Sequence, residues 1–195
     1  MKNDGHFHLT DAQTKALRNA VHGKVVADLG CGHGRLSATM TDLGATTVHA
    51  VDKEDFRVRH PHVVWHRSYF QHWDHPKDIE VAVLSWPINN SLVGLVTLLH
   101  RFPYVVYLGK NTEGSACGNP DLFRYLSGRE SLLCVTDRRN TLVHYGPNPR
   151  KDQTLHHEEW SAFYQDGGMS PFNPDNSLRT HTDWLSQVTS KVASP

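Results

Sequence analysis

Residues 24–29, Lys24-Val25-Val26-Ala27-Asp28-Leu29, form a short apolar run that stops at Gly30-Cys31-Gly32-His33-Gly34 and gives way to a helical pattern over 35–43, ended by Gly44. Such a run is too short for a buried helix and reads as a strand. A strand that passes through a Gly-rich turn into a helix is the opening of a crossover unit, and that unit belongs in a parallel sheet covered on both faces. The turn also has a chemical meaning. Gly30, Gly32 and Gly34 let the backbone approach a ligand closely, and the first turn of the following helix presents N–H groups with no intrahelical partner. In open sheets of this kind ligands sit beyond the carboxyl ends of the strands, near the point where strand order reverses.

The alternation continues along the chain. Thr10 and Asp11 cap a helix over 12–21, and strands are expected over 46–51, 62–66, 79–84 and 104–108. A short helix near 53–59, a second capped by Asn90 or Ser91 and running to Arg101, and a third over 120–126 separate them. Strands over 131–135 and 141–145 are joined only by a polar turn, so they form an antiparallel hairpin. The expected fold is α/β, a doubly wound, mainly parallel seven-stranded sheet with an antiparallel last strand. With 195 residues the chain fits one domain: an N-terminal helix over 10–22, a core over 24–145, and a polar C-terminal extension over 147–195 that carries helices near 158–164 and 182–188.

Composition narrows the partners. The formal net charge is zero, so there is no basic stripe of the kind that drives nucleic-acid binding. Three cysteines, Cys31, Cys117 and Cys134, lack C-x-x-C spacing, which argues against a disulfide framework and against a four-cysteine zinc site. No apolar stretch is long enough for a bilayer span or a signal segment, and the expected location is the cytoplasm. Fifteen histidines include no H-E-x-x-H and no Cys/His ligand set, so no metal is expected.

The turn discriminates between cofactors. A helix N-terminus suits a carboxylate and Asp28 suits an ammonium, a pair of charges found on a methionine moiety and not on a dinucleotide pyrophosphate. The dinucleotide pattern G-x-G-x-x-G fails at Arg35. Asp52, about twenty residues on, suits either both ribose hydroxyls or a helix N-cap. These features favour S-adenosylmethionine. The run Val25-Val26-Ala27-Asp28-Leu29-Gly30-Cys31-Gly32-His33-Gly34 resembles motif I of the class I S-adenosylmethionine-dependent methyltransferases, and the strand order over 24–145 is similar to theirs.

That resemblance implies cofactor contacts at Asp28, Gly30, Cys31, Gly32, Gly34, Asp52 and Ser85, and at Ser68, which stands where the family often places a carboxylate for the adenine amino group. Tyr69 is either a ring stacked on adenine or a core aromatic. After the fourth strand, Ser85-Trp86-Pro87-Ile88-Asn89-Asn90 resembles the (Asp/Asn/Ser)-Pro-Pro-aromatic segment of amino-group methyltransferases, with Trp86 in place of the first proline. Ser85, Trp86 and Asn89 are therefore the candidate catalytic residues. Trp86 either walls the acceptor pocket or plugs the end of the sheet. The loop over 109–119 adds Lys110 and Glu113 as polar groups, while Cys117 has no fixed histidine partner. The implied activity is methyl transfer to a nitrogen or oxygen of a small molecule or nucleobase. The alternatives are a nucleic-acid base methyltransferase and a non-catalytic module that binds the cofactor.

Overall fold

The computed structural model describes residues 8–56, 60–87, 95–110, 122, 125–126, 128–137 and 140–147. Helix α1, Asp11–Val21, opens on a capping box in which the Thr10 hydroxyl accepts from the Gln13 backbone while the Gln13 side chain accepts from Thr10 N–H. Strand β1, Val25–Leu29, then leads through the glycine turn to α2, Arg35–Asp42, which Gly44 ends at φ 96°. Strands β2, Thr47–Asp52, and β3, Val63–Arg67, follow, then β4, Val81–Ser85, helix α3, Leu95–Leu99, and β5, Tyr104–Gly109. Strands β6, Ser131–Thr136, and β7, Thr141–Tyr145, close the sheet.

The strands lie in one seven-stranded sheet in the order β3-β2-β1-β4-β5-β7-β6. Pairings from β3 through β5 are parallel, and β7 is antiparallel to both β5 and β6. The β6–β7 pair is the antiparallel hairpin expected over 131–145, and the last strand inserts between β5 and β6, as the family resemblance implies. Strand order reverses beside β1: the chain steps outward to β2 and β3 on one side, and β4 starts again on the other. Asp28 pairs with Ala50 and Val83 at that reversal.

Alternation along β1 sorts its side chains to two cores. Val26 faces α1 and α2 with Leu17, Met40, Val48 and Val83, whereas Ala27 and Leu29 face α3 with Trp73, Leu84, Leu99 and Tyr125. Asp28, two residues after Val26, is on the α2 side. Leu122, Tyr125 and Leu126 are helical and buried, in line with the helix expected over 120–126.

Three expectations change. Residues 53–56 are not helical, because Asp52 Oδ1 accepts the Glu54 backbone N–H at 3.0 Å and closes a local turn instead; 57–59 lie outside the described residues. A single 3-10 turn at Phe70–His72 follows β3, where no helical signal was read. Helix α3 ends at Leu99 and not at Arg101, while residues 91–94, with the expected cap, lie outside the described residues. The helices expected near 158–164 and 182–188 also lie outside it. Among the described residues no helix is long and apolar enough to cross a membrane, and no group of three or more potential ligands is placed to hold a metal ion.

Candidate functional site

The end of β1 bends sharply over β2. Gly30 and Cys31 both donate their backbone N–H to the Val51 carbonyl, at 2.8 and 3.2 Å. Gly30, Gly32 and Gly34 all have left-handed φ, at 78°, 51° and 72°. A side chain at Gly32 would meet no heavy atom within 4 Å among the described residues, so the strained backbone is not explained by packing. Gly34 is the N-cap of α2 and has no side chain to cap its first turn, and within that turn the Ser37 backbone N–H is directed to Asp28. His33, at the tip, rests on Phe56 with ring centroids 4.6 Å apart.

Two acids flank the turn. Asp28 is fully buried; its Oδ2 accepts the Ser37 hydroxyl at 2.5 Å, and its Oδ1 has no hydrogen-bond partner among the described residues. Burial pushes its carboxyl up to about 7, the Ser37 hydroxyl opposing that shift and the Asp52 charge adding to it. Asp52, half-buried at the end of β2, accepts Gly32 N–H on Oδ2 at 2.9 Å and Glu54 N–H on Oδ1. Its carboxylate still has lone pairs for two hydroxyls. Since no helix follows directly, the reading of Asp52 as a helix cap falls away. Cys31 donates its thiol to the Gly32 carbonyl at 3.6 Å, and burial raises its pKa first, then the charges of Asp28 and Asp52. It stays a neutral thiol.

The other predicted positions gather at the same end of the sheet. Ser68 donates its N–H to the Asp52 carbonyl, and its hydroxyl bonds to the Tyr69 carbonyl at 3.0 Å. That hydroxyl is engaged locally. Tyr69 is 57% exposed, which overturns the core-aromatic alternative, and its ring meets His72 edge-on with centroids 6.4 Å apart. Ser85 ends β4 opposite Leu108. Trp86 follows with φ 49°, held by its backbone N–H to the Leu108 carbonyl at 2.8 Å, and is only half-buried. Lys110 is exposed, and its carbonyl accepts the Tyr107 hydroxyl at 2.7 Å. Asn89, Glu113 and Cys117 lie outside the described residues.

Ser37 was not read from the sequence. It is the third residue of α2, buried on the face of Leu36 and Met40, and a hydroxyl on an apolar helix face is the signal that marks it. Nor was the pair His49 and His66, whose Nδ1 and Nε2 lie 2.9 Å apart across β2 and β3 beneath Trp73.

No protein-family model matches the sequence, and no curated protein matches it. The fold, however, recurs in solved structures. A protein of Pyrococcus horikoshii provisionally named an RNA methyltransferase is 15% identical with a TM-score of 0.52, over 70% of this chain and 82% of that one. A provisional type 11 methyltransferase of Sulfolobus solfataricus is 13% identical with a TM-score of 0.52, over 69% and 89%. A provisional methyltransferase of Escherichia coli is 11% identical with a TM-score of 0.52, over 74% and 89%. What is shared at these identities is architecture.

Proposed function

This chain has the class I methyltransferase fold, and from that premise we propose that it is an S-adenosylmethionine-dependent methyltransferase acting on a nitrogen or oxygen of a small molecule or nucleobase. The observation that supports this most is the turn of three left-handed glycines set between two acids, Asp28 and Asp52, with an uncapped helix N-terminus behind it. The residues fit the cofactor. The space beside Gly32 is open, the first-turn N–H groups of α2 suit a carboxylate, Asp28 Oδ1 is bare, and Asp52 has acceptor capacity for a ribose. Tyr69 offers an exposed ring for adenine.

When bound, S-adenosylmethionine supplies a methyl group activated by its sulfonium. The chain's task is then to align an acceptor and to receive a proton from it. Ser85 and Trp86 stand at the end of β4, next to β1, where the acceptor side of such a site lies. The Ser85 hydroxyl accepts from an amino group, and the Trp86 ring walls a planar acceptor. The Ser85-Trp86-Pro87 segment keeps a nucleic-acid base in view as the acceptor, and the zero net charge weighs against a polymer. Formation of S-adenosylhomocysteine from S-adenosylmethionine with a panel of amines, phenols and nucleosides tests the activity. Tight binding of NAD with no binding of S-adenosylmethionine would overturn it.

A further inference from the structure

The two oxygens of Asp28 have different surroundings. Oδ2 accepts the Ser37 hydroxyl at 2.5 Å, while Oδ1 is buried without a partner among the described residues. Besides the Ser37 hydroxyl, the Ser37 backbone N–H also favours the anion, the charge of Asp52, at the end of β2, disfavours it, and Asp28 in turn raises the pKa of Cys31, in the turn. Its sheet neighbours Ala50 and Val83 are apolar, and His33 and Arg35, on the turn and on α2, are exposed. A fully buried carboxylate with one bare oxygen and a second acid nearby is costly as an anion. It is much less costly as an acid.

We propose that Asp28 is a proton-linked receptor for the ammonium of the cofactor, with Ser37 as its positioning residue. In the free protein the carboxyl carries a proton on Oδ1. When the ammonium arrives that O–H bond breaks, the proton passes to solvent, and the resulting carboxylate pairs with the ammonium. The Ser37 hydroxyl keeps donating to Oδ2 throughout, so Oδ1 is the oxygen that changes partner. This rests on the reading of the cofactor as S-adenosylmethionine. Affinity then rises with pH. With a midpoint at about 7, the carboxylate fraction and therefore the affinity increase about eightfold from pH 6 to pH 7.5.

Calorimetry on the full chain with S-adenosylhomocysteine, which has the ammonium but no sulfonium charge, reads this directly. In buffers of different ionisation heat at pH 6, wild type should release close to one proton per ligand, and its affinity should climb about eightfold by pH 7.5. Asp28→Asn should lose both the proton release and the slope. Ser37→Ala should move the midpoint to higher pH, because a hydrogen bond that favours the anion is gone, and Ser37→Thr should restore it. His33→Asn should keep the slope; a slope that vanishes in His33→Asn overturns the proposal. Should Asp28→Asn fail to fold, an unmoved midpoint in Ser37→Ala overturns it instead. Wild type that binds equally at both pH values without releasing a proton sinks the linkage and leaves the cofactor reading standing. No binding at either pH sinks both.

Discussion

Asp52 Oδ2 accepts the backbone N–H of Gly32 at 2.9 Å, so the end of β2 holds the tip of the turn that leaves β1. The same carboxylate is proposed to accept the ribose hydroxyls, which gives it two separable roles. Asp52→Asn keeps an oxygen for Gly32 but loses the charge, and Asp52→Ala loses both. Each hydrogen bond to a charged acceptor contributes roughly 1.5 to 3 kcal/mol, so losing two of them in Asp52→Ala should weaken S-adenosylmethionine binding by at least about 100-fold, with Asp52→Asn in between. Calorimetry checks it, and unchanged affinity in Asp52→Ala would confine this residue to tying the turn.

Gly32→Ala separates conformation from ligand contact. At φ 51° an alanine pays a backbone cost of about 1 kcal/mol, yet its methyl would touch nothing within 4 Å among the described residues. A small fall in melting temperature should therefore accompany a loss of cofactor affinity of about tenfold or more, since the methyl enters the space where backbone meets ligand. Equal affinity would mean that the cofactor does not approach this glycine.

The sheet was legible because its signals are local. Residues 24–29 and 104–108 are apolar runs bounded by breakers, and the missing helix between 131–135 and 141–145 implied the antiparallel β6–β7 hairpin, whereas the pairing of β7 with β5 came only with the family resemblance. Asp28, Asp52 and the glycines were legible for the same reason. The segment after β2 was misread because the side chain of Asp52 bonds to Glu54 N–H, a competition that helical spacing does not reveal. Ser37 reaches Asp28 nine residues back, and His49 reaches His66 across two strands; both contacts depend on register and face, which no window of sequence carries.

The His49–His66 pair should make stability pH-dependent. Burial lowers both pKa values, and for His49 the neighbouring His66 lowers it further while Asp78 acts in the opposite sense. The folded state therefore binds fewer protons than the unfolded chain just below the ordinary histidine value of 6.5. Stability from the pair is complete above that value and falls as pH drops through it toward the lowered folded values. Melting curves at pH 7.5 and 5.5 should show a larger loss for wild type than for a His49→Gln, His66→Gln double variant. An equal loss would assign the acid sensitivity elsewhere.

Arg129 should matter for folding and not for the ligand. It is 5% exposed, and its guanidinium donates to the carbonyls of Leu99, Phe102, Pro103 and Gly146 and to the Tyr125 hydroxyl. Leu99 ends α3, Phe102 and Pro103 precede β5, and Gly146 follows β7, so these groups lie at the end of the parallel strands opposite the glycine turn. Arg129→Met strands several buried carbonyls, each costing about 1 to 3 kcal/mol, so denaturant unfolding should report a loss of at least about 3 kcal/mol. Cofactor affinity of the folded fraction should stay near wild type, and a selective loss of affinity would contradict the structural role.

Trp86 holds a left-handed φ of 49° that favours glycine, with its N–H on the Leu108 carbonyl, and its ring is half-buried. A bulky residue in that conformation costs about 1 to 2 kcal/mol, so something besides backbone preference keeps it there. Two variants separate the contributions. Trp86→Ala removes the ring and retains the strained backbone; Trp86→Gly removes both. If the ring were a core plug, either change would cost about 3 to 5 kcal/mol, the range for large-to-small core substitutions. Because the ring is only partly enclosed, Trp86→Ala should cost about 1 to 2 kcal/mol, and Trp86→Gly should be the more stable of the two as the backbone relaxes. If the ring walls the acceptor site, both variants should keep cofactor affinity within about twofold and lose turnover together, by tenfold or more for a planar acceptor. Melting and calorimetry can be run before any acceptor is identified. A loss above about 3 kcal/mol together with collapsed cofactor binding would return Trp86 to the core and remove it from the acceptor side.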